Sequence, residues 1–163
     1  MYLVDSNVLI EAKNRYYAFD IAPGFWVWLD HAHENALACS IAPVREELVL
    51  GGDELATWAQ DHPGFFRPVD SAATTQFGPL TSWAHSGNFT PSALNDFIGN
   101  TADFYLIAYA KAHNHILVTH EQSKPDARRR IMIPDACMAM GVRYANTFAM
   151  LRSVNARLSL QLP

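Results

Sequence analysis

The sequence predicts an α/β fold, a three-layer α/β/α sandwich with a mainly parallel central sheet, built as one domain over residues 1–163. Three observations predict it. Short, largely apolar runs alternate with longer stretches of helical spacing, the order that builds a parallel sheet covered by helices. The runs are Met1-Tyr2-Leu3-Val4, Ala36-Leu37-Ala38-Cys39-Ser40-Ile41 and His115-Ile116-Leu117-Val118-Thr119. The first and third run straight into polar residues, and in such sheets the carboxyl ends of the strands border the ligand crevice. Half of the residues are hydrophobic and 17% are charged, with no repeat, low-complexity tract or linker, so the chain can bury a real core.

Each element has a local reason. After the first strand, Val8 to Lys13 has helical character, with Val8, Leu9 and Ala12 on one face, and Asn14-Arg15-Tyr16-Tyr17 leaves it. Tyr16 to Gly24 is an aromatic connection ending in a Pro-Gly breaker, either a loop packed on the core by its rings or a lip over a cleft. A second helix is expected from Phe25 to Asn35, with Phe25, Trp28 and Leu29 inward. His31 and His33, two residues apart and so on different faces, are expected in solvent. After the second strand, Pro43 opens a helix through Leu50 that Gly51-Gly52 stops, and Asp53 caps another from Glu54 to Gln60. A helix from Val69 to Ser86 is expected to break at Gly78-Pro79, and Thr90-Pro91 opens a further helical turn through Ile98. The strongest helix runs from Ala102 to His113, rich in Ala and Leu, with Thr101 as N-cap. Beyond the third strand come a polar loop, Gln122 to Arg130, a short strand Ile131-Met132-Ile133 and a helical turn from Ala136 to Met140. A final helix is expected from Asn146 to Asn155.

The totals exclude some functions. A net charge of −4 and a pI near 5.9 argue against bulk electrostatic wrapping of nucleic acid, yet permit a nuclease whose clustered acids are neutralised by cations. Cys39 and Cys137 are far apart and belong to no C-x-x-C pair, which fits reduced core thiols in a cytoplasmic protein. Asp5 interrupts any signal-like apolar stretch, and no segment approaches membrane-spanning length.

The acids then draw attention. Asp5 ends the first strand, Glu47 lies in the helix after the second, Asp103 opens the strongest helix, and Glu121 ends the strand into which that helix leads. Asp5 reads either as a carboxylate held at a cleft edge or as a cap for the next helix. Gathered carboxylates raise one another's pKa and cost stability unless a cation neutralises them, and hard oxygen ligands suit Mg²⁺ or Mn²⁺. In the first turn of its helix Asp103 also meets the favourable end of the helix dipole.

These residues carry a resemblance. Leu3-Val4-Asp5-Ser6-Asn7, Glu47-Leu48 with Gly51, Ala102-Asp103 with Leu106-Ile107-Ala108 and Ala110, and Ile116-Leu117-Val118-Thr119-His120-Glu121 follow one another in the order of a PIN domain. The chain resembles this family, the Mg²⁺-dependent ribonuclease fold of VapC-type toxins in bacterial toxin–antitoxin pairs, from Tyr2 to about Phe148. By position, the resemblance implies that Asp5, Glu47, Asp103 and Glu121 are the catalytic, metal-binding acids; the Glu-Leu pairing favours Glu47 over Glu46. The family usually has Asp where Glu121 stands, one methylene shorter. Asp135 is a candidate to supplement it, or else a helix cap.

The resemblance further implies hydrolysis of RNA phosphodiester bonds with Mg²⁺ or Mn²⁺, leaving 5′-phosphate and 3′-hydroxyl ends. Ser6, Asn7 and Thr119 would support the acids, Ser6 reading equally well as an N-cap. Lys13, Arg15, Arg45, Lys124 and Arg128 are the candidate RNA contacts, with Tyr16, Tyr17 or Phe19 available to stack on bases. The run Arg128-Arg129-Arg130 reads equally as a solvated loop or a contact for an acidic antitoxin tail. A cognate antitoxin and a homodimer are expected at family level. The alternative is a catalytically inactive PIN-like domain kept as an RNA- or protein-binding module.

Overall fold

The strands are β1 (Tyr2–Val4), β2 (Ala38–Ile41), β3 (Phe66–Arg67), β4 (Ile116–Val118) and β5 (Tyr144–Ala145). They form a five-stranded sheet in the order β3-β2-β1-β4-β5, and every pairing is parallel. The coordinates are a computed structural model that describes residues 1–99 and 101–159. In register, Leu3 lies between Cys39 and Leu117, and all three are buried. The central strands are buried along most of their length, as expected where helices cover both faces of a sheet.

From β1 the chain moves outward to β2 and β3, then returns to the other side of β1 for β4 and β5. The right-handed crossover rule therefore puts the helix joining β1 to β2 and the helix joining β4 to β5 on opposite faces. The joining helices are α2 (Pro23–Glu34), preceded by α1 (Ser6–Glu11), and α9 (Ile133–Met140). Between β2 and β4 lie α3 (Ala42–Leu50), α4 (Glu54–Asp61), α5 (Ser71–Thr74), α6 (Phe77–Ser86), α7 (Pro91–Ile98) and α8 (Ala102–His113); α10 (Thr147–Ser153) closes the described chain. Helix α8 packs on β2, β4 and α9, and its Leu106, Ile107 and Ala108 are fully buried. The strand order reverses between β1 and β4, and a crevice opens beyond their carboxyl ends at such a switch point.

Several expectations need correction. The helix after β1 does not end at Lys13 but continues through a π-helical turn, Ala12–Tyr16. The break in the region from Val69 to Ser86 falls at Thr75-Gln76; Pro79 sits in the first turn of α6, where a missing N–H costs no helical bond. Ile131 and Met132 are not strand: Ile133 already starts α9, with Pro134 in its first turn. Three consecutive buried apolar residues suit either assignment, so periodicity could not decide. Strands β3 and β5 are two residues each, too short to leave an alternating pattern. His33 is half-buried against Phe65 instead of lying in solvent.

Cys39 and Cys137 are free and buried, and burial pushes their thiols up to about 11 and about 12, which keeps them protonated and unreactive. Among the described residues no helix is long and apolar enough to cross a membrane.

Candidate functional site

Asp5 follows β1, and its backbone N–H donates to the carbonyl of Val118 at 3.0 Å, which fixes it at the switch point. It occupies the N-cap position of α1, yet its carboxylate accepts no bond from the helix backbone. Instead Oδ2 accepts from the Thr119 hydroxyl at 2.9 Å and Oδ1 from the Ser6 hydroxyl at 3.3 Å. Neither side chain therefore caps the helix: the Ser6 hydroxyl donates to the Asp5 carboxylate instead.

Thr119 is saturated. Its oxygen accepts from the Asn7 amide and from the Glu121 N–H, both at 3.1 Å, which leaves its single proton for Asp5. The Asn7 carbonyl oxygen in turn accepts the His120 N–H at 3.1 Å. The polar residues after β1 thus tie the end of β4 to the start of α1 and hold Asp5 in one orientation.

Asp5 is 1% exposed. Burial first, then the charges of Asp103, Glu121 and Glu47, raise its carboxyl to about 7, against the Thr119 hydrogen bond. Asp103, in the first turn of α8, is raised to about 6 by burial and by the charges of Glu121 and Glu47, against Arg130. Glu47 projects from the exposed side of α3, whose Val44 and Leu48 are buried. The four acids singled out in the sequence thus share one electrostatic neighbourhood.

They divide three against one. Among the described residues none of Asp5, Glu47 and Asp103 takes part in an ion pair. Glu121 has both oxygens engaged: Oε1 accepts from the Arg130 guanidinium and Oε2 from the N–H of Ile133 at 2.8 Å. Ile133 opens α9, whose N-cap position, Met132, has no side chain able to accept, so Glu121 supplies the missing acceptor. Asp135 does not cap α9 either. Its oxygens accept from the Ser123 hydroxyl at 2.5 Å and the Lys124 N–H at 2.9 Å, which ties down the loop after β4. Among the described residues no three His, Cys, Asp or Glu side chains converge closely enough to enclose an ion as they stand.

A cleft of about 290 Å³ opens beside Asp103, walled by Thr101, Phe97, Arg129, Arg130 and Ile131. A second, of about 480 Å³, lies between Trp83 and Phe89 on one side and Lys124 and Arg128 on the other. The other candidate cations are occupied. Lys13 pairs with Asp53 at 2.7 Å and Arg15 with Glu11 at 3.2 Å, while the Arg45 guanidinium donates to the carbonyl of Ala59 at 2.8 Å and so clamps α3 to α4. Tyr17 stacks on Phe25 at 4.4 Å and Phe19 on Trp26 at 4.0 Å, so these two rings belong to the core. Tyr16 is exposed, with its ring 6.1 Å from His120 and 5.7 Å from Phe148. Arg130 belongs to the arginine run that the sequence offers as a border of the cleft, whereas His120 carries no sequence signal beyond its position between Thr119 and Glu121.

A family model described as a domain of unknown function, DUF4411, matches residues 2–158. No curated protein matches the chain by sequence. Among solved structures, the chain is similar to one in VapBC2 from Rickettsia felis bound to a DNA fragment from their promoter. The identity is 14% and the TM-score 0.56, over 89% of this chain and 97% of that one. It is also similar to a chain of FitAcB from Neisseria gonorrhoeae, with 20% identity and a TM-score of 0.54 over 91% and 99%. FitAB bound to an IR36 DNA fragment gives 20% and 0.54 over 90% and 94%. The likeness extends over nearly the whole of each chain, and the parallel α/β fold is the one expected of a PIN domain.

Proposed function

The chain belongs to the DUF4411 family, and from that premise and its fold we propose that it is a Mg²⁺- or Mn²⁺-dependent ribonuclease, the toxin of a toxin–antitoxin pair. One observation carries the reading: Asp5, Glu47 and Asp103 come from three separate elements, burial and neighbouring acids raise the carboxyls of Asp5 and Asp103, and none of the three forms an ion pair among the described residues. The donor set fits a hard divalent ion. It is all carboxylate, it is held by rigid elements, and two of its members have their carboxyls raised, to about 7 and about 6, so that a cation would compete with protons for them. Asp5, Glu47 and Asp103 would hold the ion; when bound, it supplies Lewis-acid charge neutralisation at a phosphate and acidifies water.

The chain's own residues do the rest. Thr119 and Ser6 hold the Asp5 carboxylate in one orientation, and Asn7 fixes Thr119. Arg129 and Arg130 border the cleft beside Asp103 and offer planar donors to phosphate oxygens. Tyr16, His120 and Phe148 form a ring face, linked to Asp5 through Asn7 and Thr119, that is suited to an unpaired base. Burial lowers the His120 pKa, against the charge of Glu11, and its ring nitrogen lies 3.0 Å from the Thr147 hydroxyl, which holds the imidazole in place. A cognate antitoxin would close this crevice in the paired complex, and a homodimer belongs to the same reading.

The test is metal-dependent cleavage of RNA by the purified protein, with Asp5→Asn and Asp103→Asn beside it. Activity in the wild type and its loss in both variants is the expected result; full activity in both variants would sink the metal assignment. A second reading has its own observation. No three acids among the described residues close on a point, and Glu121 is fully engaged, as in a binding module that has given up catalysis. Such a module would bind RNA or protein without any divalent-ion site.

A further inference from the structure

We propose that Arg130 is a built-in counter-cation of the acid cluster, exchanging Glu121 for a substrate phosphate, so that Glu121 becomes a metal ligand only once the guanidinium has left. The inference rests on the metal-dependent reading above and names the residue that controls loading of that site.

The pair is asymmetric. The Arg130 side chain is 66% exposed and that of Glu121 only 8%. Glu121 is anchored by its second oxygen on the Ile133 N–H, which does not move if Arg130 departs. Loss of the guanidinium would therefore leave Glu121 in place with Oε1 free, still within electrostatic reach of Asp5 and Asp103. The Arg130 end of the pair is open to solvent, so the guanidinium can be rehydrated or transferred to another anion without disturbing the packed end of the contact. Arg130 also has somewhere to go. Its side chain lines the 290 Å³ cleft with Arg129 and Asp103, where a phosphate would meet a planar fork of donors.

The test is a double-mutant cycle read by calorimetric titration of Mn²⁺ alone into metal-stripped protein at neutral pH. Arg130→Gln should bind Mn²⁺ roughly three- to tenfold more tightly than wild type. Glu121→Gln should change the wild-type affinity less than about twofold, yet weaken Mn²⁺ binding about tenfold or more in the Arg130→Gln background. The amide introduced by Glu121→Gln keeps an acceptor for the Ile133 N–H, so equal melting temperatures of the two single variants confirm that α9 is intact. In saturating Mn²⁺, a non-cleavable 2′-O-methyl RNA should bind Arg130→Gln about tenfold more weakly than wild type. An equal effect of Glu121→Gln in both backgrounds would overturn the exchange and leave the metal site standing. Unchanged RNA binding would overturn the phosphate half. No Mn²⁺ binding by wild type or Arg130→Gln would overturn both the exchange and the metal-dependent reading.

Discussion

The crevice at the switch point has two walls, built from the same residue types and left in opposite states. On one, Asp5, Glu47 and Asp103 lie without a paired cation among the described residues, and two of them are pushed well above the ordinary carboxylate range. On the other, Glu121 is satisfied by Arg130 and the Ile133 N–H, and beyond it Asp135, which lines the second cleft, is satisfied by Ser123 and Lys124. The difference teaches that a buried acid is no guide to function until its partners are counted. A carboxylate that completes a helix end or ties a loop stabilises the fold, whereas carboxylates that raise one another's pKa cost stability and need another reason to be together.

The comparison is broken most severely on the uncompensated wall. Asp5→Asn or Asp103→Asn should lower metal-dependent RNA cleavage by roughly a hundredfold or more, about 3 kcal/mol of barrier, and Glu121→Gln should cost less than either. Initial rates on a defined RNA check this, and equal losses on both walls would erase the distinction.

Stability without metal sharpens it next. The Asp5 carboxyl ionises near 3.8 when unfolded and at about 7 when folded, so between those values the native state binds more protons than the unfolded one. Its contribution is fully present below about pH 4 and is lost as pH rises through about 7; wild-type stability should fall across that window. Asp5→Asn should flatten the fall and be the more stable protein at pH 8, by up to about 4 kcal/mol at about 1.4 kcal/mol per tenfold shift in ionisation. Urea melts at pH 5 and pH 8 give the comparison. By the same linkage, millimolar Mn²⁺ should raise the melting temperature several degrees at pH 7.5 and little at pH 5, where protons hold the site.

The smallest effect belongs to the compensated wall. Glu121→Ala removes the acceptor for the first N–H of α9 and should cost about 1 kcal/mol, most of it recovered by Glu121→Gln. Chemical denaturation resolves the pair.

Much of this was legible in the sequence because it depends on local order. The run into Asp5-Ser6-Asn7, the helix from Ala102 and the strand into Thr119 announce the sheet, the switch point and three of its acids. The caps at Asp53 and Thr90 are where the residue types put them, each side chain accepting from its helix. What could not be read depends on contacts between distant segments. Nothing near Glu121 in sequence says that its carboxylate completes a helix twelve residues on and meets Arg130. Lys13 carries the right charge for RNA, but Asp53, forty residues on, holds it; Arg15 pairs with Glu11 at i,i+4, a local contact that helical spacing does allow. The rings of Tyr17 and Phe19 are taken up by Phe25 and Trp26 of α2, partners that the aromatic composition of the loop does not reveal. Two-residue edge strands carry too few positions for any period.

The most direct measurement is the anomalous scattering of Mn²⁺ in crystals of the protein grown near neutral pH. A peak bounded by the carboxylates of Asp5, Glu47 and Asp103 is the predicted result. A peak at Glu121 or Asp135 with none among those three, or no peak at saturating Mn²⁺, would contradict the account.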